Sequence, residues 1–203
     1  MGRIGRDTYA QYVSMVHDNG LYLPGRLIYI DSPNNTGDNE IDYASASRFI
    51  KNIKILNAGS KDPIMVILNT NGGDVVHGLA IYDAIKNSTA PVIIKVFGSA
   101  SSIGAIILQA ADERIMSPHS YLMFHKGSSS TGASNDYEVL KEATFSLEYG
   151  NRTDNILLDR INEKRTKENK ALLSKQSFKS MLLESRYLFP EQAIEWGLAD
   201  RVE

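Results

Sequence analysis

Pro63-Ile-Met-Val-Ile-Leu-Asn69-Thr-Asn-Gly-Gly-Asp74 and Pro91-Val-Ile-Ile-Lys-Val-Phe97-Gly-Ser-Ala-Ser-Ser-Ile-Gly-Ala105 read as one event that happens twice. An apolar run without alternation is the mark of a strand buried on both faces. Each run begins after a proline and breaks at glycine, at Gly72–Gly73 in the first and at Gly98 in the second. A helical stretch follows each, Val75 to Lys86 and then the apolar Ala100 to Ala111. Two shorter runs, Glu113 to Met116 and Tyr121 to Phe124, supply further strands. Strand, helix, strand, helix, strand at this spacing predicts repeated βαβ units, a mainly parallel sheet and an α/β fold.

Outward from this centre the pattern thins. Upstream, Arg26 to Ile30 reads as a short buried strand, and Ile41, Ala44, Phe49, Ile50 and Ile53 give residues 41–57 helical spacing. Between them, Asp31 to Asp38 is dense in turn formers and predicts a surface loop. Residues 1–25 are mixed in character. Downstream of His125, Gly127 to Gly132 is a flexible Gly/Ser stretch. A long charged helical region over 135–170 carries one stripe, including Leu140, Ala143, Leu147, Leu157, Leu158 and Ile161, interrupted at Gly150 and Asp154. A helix of that length with one stripe projects and packs against a partner copy. Pro190 to Gly197 closes the chain as a helix with proline at its start and glycine at its end. There is no internal repeat, so residues 1–203 are read as one domain with a divergent segment 1–25 and a handle-like region over about 127–175.

The net charge of −2 offers no basic footprint for nucleic acid. The chain has no cysteine, and its four histidines lack metal-ligand spacing, so no metal and no cofactor is expected. No apolar run reaches the ~18 residues that a membrane helix needs. With no apolar leader behind Met1, the expectation is a cytoplasmic protein.

Gly98-Ser-Ala-Ser-Ser102-Ile-Gly-Ala105 falls where a buried strand turns into a helix. A serine there has free backbone N–H groups beside it, which suits an acyl-transfer nucleophile. Ala100 stands where the Gly-x-Ser-x-Gly elbow has its first glycine, so that pattern is not met. A plain tight turn needing small residues reads the segment equally well. Gly72 and Gly73 permit close backbone approach, as half of an oxyanion hole or as an ordinary strand-to-helix turn. His125 ends an apolar strand, where it is either a general base or a structural histidine. His77 and His119 have the look of structural residues.

Taken together, these segments resemble the proteolytic subunit of the Clp protease (ClpP), a serine peptidase family of the ClpP/crotonase fold. The resemblance runs over roughly 26–203 and is strongest from Ile64 to His125. Asn71-Gly-Gly73 is similar to the family's Ser-Pro-Gly-Gly, and Gly98 to Ala105 is similar to its Gly-Gln-Ala-Ala-Ser-Met-Gly-Ala. Leu122-Met-Phe-His125 is similar to the strand ending in the catalytic histidine. The resemblance implies Ser102 as nucleophile, His125 as general base, and the N–H groups of Gly73 and Ile103 as oxyanion donors. It implies a polypeptide substrate added as a strand along Gly72, Gly73 and Asp74 and along Lys126 and Gly127.

The family's third catalytic residue is an aspartate. In Leu183-Glu-Ser-Arg-Tyr-Leu-Phe-Pro190, aligned back from Gly197-Leu-Ala-Asp200, its position holds Ser185, with Glu184 adjacent. Ser185 orienting His125, Glu184 or another carboxylate supplying the charge, and a weakly active or silent structural subunit all stay open. The interval from His125 to Ser185 is also longer than the family usually shows. Heptameric homo-oligomeric rings are implied, and an ATP-driven AAA+ unfoldase is an open partner, since residues 1–25 lack the family's axial-pore segment. A crotonase-type acyl-CoA enzyme on the same fold is the remaining alternative, and the Ser102–His125 pair speaks against it.

Overall fold

The computed structural model describes residues 6–30, 40–127 and 135–203. In chain order the elements are α1 (Arg6–Asn19), β1 (Leu21–Tyr22), β2 (Leu27–Ile30), β3 (Glu40–Ile41), α2 (Tyr43–Gly59), β4 (Ile64–Thr70), β5 (Gly72–Gly73) and α3 (Val75–Lys86). The second half holds β6 (Val92–Ser101), α4 (Ile103–Leu108), β7 (Glu113–Met116), β8 (Tyr121–Phe124), α5 (Asp136–Lys167), α6 (Lys175–Met181), β9 (Arg186–Leu188), α7 (Pro190–Glu195) and β10 (Arg201–Val202). The loop predicted at 31–38 and the flexible stretch past Gly127 lie outside the described residues.

The main sheet runs β1-β2-β4-β6-β7-β10. Its β2/β4, β4/β6, β6/β7 and β7/β10 pairings are all parallel, as the βαβ pattern requires. One face of β4 and β6 is sealed, with Val66, Leu68, Ile94 and Val96 showing no exposed surface, but the alternate residues Met65, Ile67, Ile93 and Lys95 are only partly buried, so the second face is less covered than the apolar runs predicted. Helix α2 starts at a capping box, with the Asp42 carboxylate accepting from the Ser45 N–H at 2.7 Å and Ser45 Oγ accepting from the Asp42 N–H at 2.9 Å.

Two boundaries differ from the sequence reading. Gly98 does not end β6. The strand forks there: Ile93–Val96 pair with β7, and Ser99–Ser101 pair with β8. Gly98 takes φ +69°, and a Cβ on it would come 2.7 Å from Asn69 Oδ1. Asn69 Oδ1 in turn accepts from the Ser99 N–H at 3.2 Å, which fastens the fork. Because Ala100 and Ser101 still belong to β6, the helix predicted from Ala100 to Ala111 contracts to Ile103–Leu108. It ends where Gln109 Nε2 turns back to the carbonyls of Ala105 and Leu198.

Helix α5 is continuous for 32 residues through Gly150. Its second half packs on the body through Leu157, Leu158 and Ile161. In the first half, Leu140, Phe145 and Leu147 are 66%, 53% and 61% exposed. Helices α1 and α6 and the short strands β1, β3, β5, β9 and β10 were not legible as such in the sequence.

Candidate active site

The fork in β6 builds the site. Strand β8 runs parallel to the far end of β6, with Ser101 opposite Met123. The next residue, Ser102, donates its N–H to the Met123 carbonyl at 2.7 Å. His125 follows β8 directly, so both chains deliver their next residues to one point. There Ser102 Oγ lies 3.0 Å from His125 Nε2. With the hydroxyl donating to Nε2, the imidazole proton sits on Nδ1.

Ser102 has φ 53° and ψ −120°, between the last strand residue and the first helical one. A non-glycine residue held there carries on the order of 1–3 kcal/mol of backbone strain. This is the strained strand-to-helix turn of a nucleophile elbow. It forms although the sequence lacks the elbow's first glycine: Ala100 is fully buried and small enough to serve.

Strand β5 runs beside Ser102. A Cβ on Gly72, whose φ is +110°, would come 2.7 Å from Ser102 Cβ. On its other side β5 pairs in parallel with β3, and the Asp74 N–H donates to the Ile41 carbonyl at 2.7 Å. Alternate residues of a ladder turn their N–H groups to opposite sides. The Gly73 N–H therefore faces away from β3. Ile103, as the first helical residue, has no intrahelical acceptor for its N–H. Asp74 caps α3: its carboxylate accepts from the His77 N–H at 2.9 Å, and its carbonyl accepts from the Gly78 N–H at 2.9 Å. The Lys126 N–H donates to the Leu182 carbonyl at 3.1 Å, and Gly127 is exposed with open space around its Cα.

The structure does not bring the two third-member candidates into contact with His125. Strands β8 and β9 are antiparallel, and their pairing ends with Phe124 opposite Arg186, so His125 and Ser185 each lie one residue beyond the ladder. Ser185 and Glu184 are both exposed. Among the described residues His125 has no hydrogen bond besides the one to Ser102. His77 meets the Tyr43 ring edge-on at 5.7 Å, and His119 sits in an exposed turn. Among the described residues no group of three or more His, Asp or Glu is placed to hold a metal. No helix among them is long and apolar enough to cross a membrane.

Behind β9, Arg114 spans to the C-terminus. Its guanidinium donates to Asp200 at 2.6 and 3.0 Å, to Gln109 Oε1 at 2.9 Å and to the Gly197 carbonyl at 2.8 Å. Burial pushes the Asp200 carboxyl up, but the hydrogen bonds and charge of Arg114 outweigh it and hold it below the usual carboxylate value.

Comparison with known proteins gives a consistent picture. A model of the Clp protease family matches residues 36–203. An ATP-dependent Clp protease proteolytic subunit from Deinococcus radiodurans is 28% identical over 184 residues, covering 89% of this chain and 81% of that one. A proteolytic subunit 1 from Streptomyces avermitilis is 30% identical over 167 residues, covering 80% of this chain and 71% of that one. Among solved structures, a ClpP1 mutant from Listeria monocytogenes superposes with a TM-score of 0.71 at 21% identity, covering 89% of this chain and 92% of that one.

Proposed function

The chain belongs to the Clp protease family and is a serine-type peptidase, and from that premise we propose that Ser102 and His125 carry the chemistry as an acyl-enzyme endopeptidase acting on extended polypeptide. The 3.0 Å contact between Ser102 Oγ and His125 Nε2 is the observation that carries this reading. Ser102 Oγ attacks the scissile carbonyl carbon while its proton passes to Nε2. The N–H groups of Gly73 and Ile103 donate to the oxyanion that forms. Collapse breaks the C–N bond, Nε2 gives its proton to the leaving amine, and an ester to Ser102 remains. Water then attacks that ester, again losing its proton to His125, and the acid product departs as the proton returns to Ser102. The substrate backbone lies as a strand between the β5 edge and the chain after His125, near Gly127.

Copies of the chain assemble into heptameric rings, with the exposed apolar residues at the start of α5 covered by another copy. Docking to an ATP-driven unfoldase belongs to the same reading, since the relatives are described as ATP-dependent. A second reading, a silent structural subunit, has one observation in its favour: the Nδ1 side of His125 meets no carboxylate among the described residues.

Treatment of the purified protein with a fluorophosphonate, followed by peptide mapping, separates the two. Label confined to Ser102, absent in Ser102→Ala and lost on heating, is the expected result. Absence of label on the folded protein would refute an assembled nucleophile.

A further inference from the structure

A cavity of about 830 Å³ opens beside the Ser102–His125 pair, sharing Gly73, Lys126 and Gly127 with it. That is the size range of a site that encloses a small molecule or a side chain. One wall is β5 and the start of α3, with Val75 and Val76. The opposite wall is the middle of α5, with Phe145 and Tyr149, and α6 closes the third side through Lys179 and Leu182. The cavity is mainly apolar, with two carboxylates in its lining: Asp74, which is engaged as the cap of α3, and Asp154 of α5.

Asp154 is half-buried, and among the described residues it has no hydrogen bond and no ion pair. Burial pushes its carboxyl above the usual carboxylate value. Lys179, Lys175 and Lys126 pull the other way and do not offset it. All three lysines are exposed. Lys179 spends its ammonium on Asn151 Oδ1 at 2.6 Å. These lysines line the same cavity, but being exposed they keep their charges solvated at its rim, whereas the half-buried Asp154 has spare acceptor capacity.

We propose that Asp154 is a specificity-determining residue of this cavity, which takes the side chain of the substrate residue preceding the cleaved bond and favours lysine or arginine there. The proposal rests on the peptidase reading above. The apolar walls accommodate the aliphatic stem of such a residue, and its cationic head supplies Asp154 with the partner it lacks. An acidic side chain would meet the rim lysines but would have to pass the unpaired carboxylate. An apolar one fills the walls and leaves Asp154 desolvated without compensation.

The test uses the full chain and fluorogenic peptides that differ only at the residue before the cleaved bond: Lys, Arg, Leu or Glu. Lys and Arg should exceed Glu in kcat/KM by about tenfold or more, and Leu by less, a half-exposed pair being worth less than a buried one. Asp154→Asn should erase the preference for Lys and Arg, lowering kcat/KM for those two peptides and raising it for Leu, which then buries no unpaired charge. Its label at Ser102 by fluorophosphonate reports folding independently. Should Asp154→Asn fail to fold, Asp154→Glu keeps the charge and should alter the Lys-to-Arg ratio while both peptides stay ahead of Leu. A flat or acidic preference in the wild type, or a basic preference that survives Asp154→Asn, overturns the assignment. Ser102 taking label while the profile stays flat sinks only the assignment of Asp154. No label and no cleavage of any peptide removes the peptidase reading and this inference with it.

Discussion

Gly72→Ala adds a single methyl group at the tightest point of the site. It would sit 2.7 Å from Ser102 Cβ and 2.9 Å from the Ser101 carbonyl oxygen, where ordinary contact begins near 3.4 Å. Ser101 is 3% exposed and hydrogen-bonded within the sheet, so it has little room to retreat. The two backbones must therefore part by about 0.7 Å or more, the shortfall between those distances. The φ of +110° at Gly72 adds a conformational cost of about 1–3 kcal/mol for alanine. A displacement approaching 1 Å between reacting groups costs about 10²-fold in rate. Peptide hydrolysis and fluorophosphonate labelling should both slow by about that factor, since both need Ser102 aligned with its oxyanion donors. Urea denaturation should show a stability loss on the order of 1–3 kcal/mol. Labelling at the wild-type rate with an unchanged denaturation midpoint would refute the close approach of β5 to the nucleophile.

Ser185→Asp should raise kcat/KM at neutral pH, because it places a carboxylate one residue before the β9 ladder that pairs with the strand leading to His125; a charged partner on the histidine's Nδ1 is worth up to about 10⁴ in a Ser-His-Asp triad. An unchanged rate would show that the histidine is oriented from elsewhere. Arg114→Ala should cost about 2–3 kcal/mol by thermal or chemical denaturation, less than a fully buried pair because the Asp200 side chain is 38% exposed. The same pair gives an acid dependence. Asp200 titrates below its ordinary 3.8 in the folded chain, so its contribution is complete above that pH and is lost as the pH falls below it. The gap between wild type and Arg114→Ala should therefore narrow as the pH falls below about 4, leaving the part due to the bonds to Gln109 and Gly197, and a gap that does not change with pH would contradict the assignment.

The parallel core was legible because β4 and β6 are apolar at nearly every position, fully buried at Val66, Leu68, Ile94 and Val96 on one face and partly covered at Met65, Ile67 and Ile93 on the other. Helix α3 and strands β7 and β8 fell at their predicted bounds, since Asp74, Pro118 and the glycines punctuate them. What the sequence hid is tertiary in origin. Gly98 looks like a strand terminator, and only the arrival of β8 beside Ser99–Ser101 lets β6 continue past it. The conformation of Ser102 is likewise imposed by its hydrogen bond to Met123, which no local pattern encodes. Ser174 caps α6 by accepting from the Ser177 N–H at 3.1 Å, a signal that was readable but was overshadowed by the charged run before it. The Ser102–His125 meeting agrees with the resemblance, whereas Ser185 follows the end of the β8/β9 ladder and makes no bond to His125.

The fork in β6 makes one strand a ruler for two jobs. Residues before Gly98 lock into β4 and β7 by burial, and residues after it lead without interruption to Ser102. In such a strand a slip of one residue turns every side chain to the opposite face. A slip at Val96 would therefore both expose the core and swing the nucleophile away from His125. The chain has no misregistered state that folds well yet points its serine wrongly. Fidelity of aim is inherited from the solvent-averse centre of the sheet, and a core substitution that lets β6 slip should lose turnover and structure together.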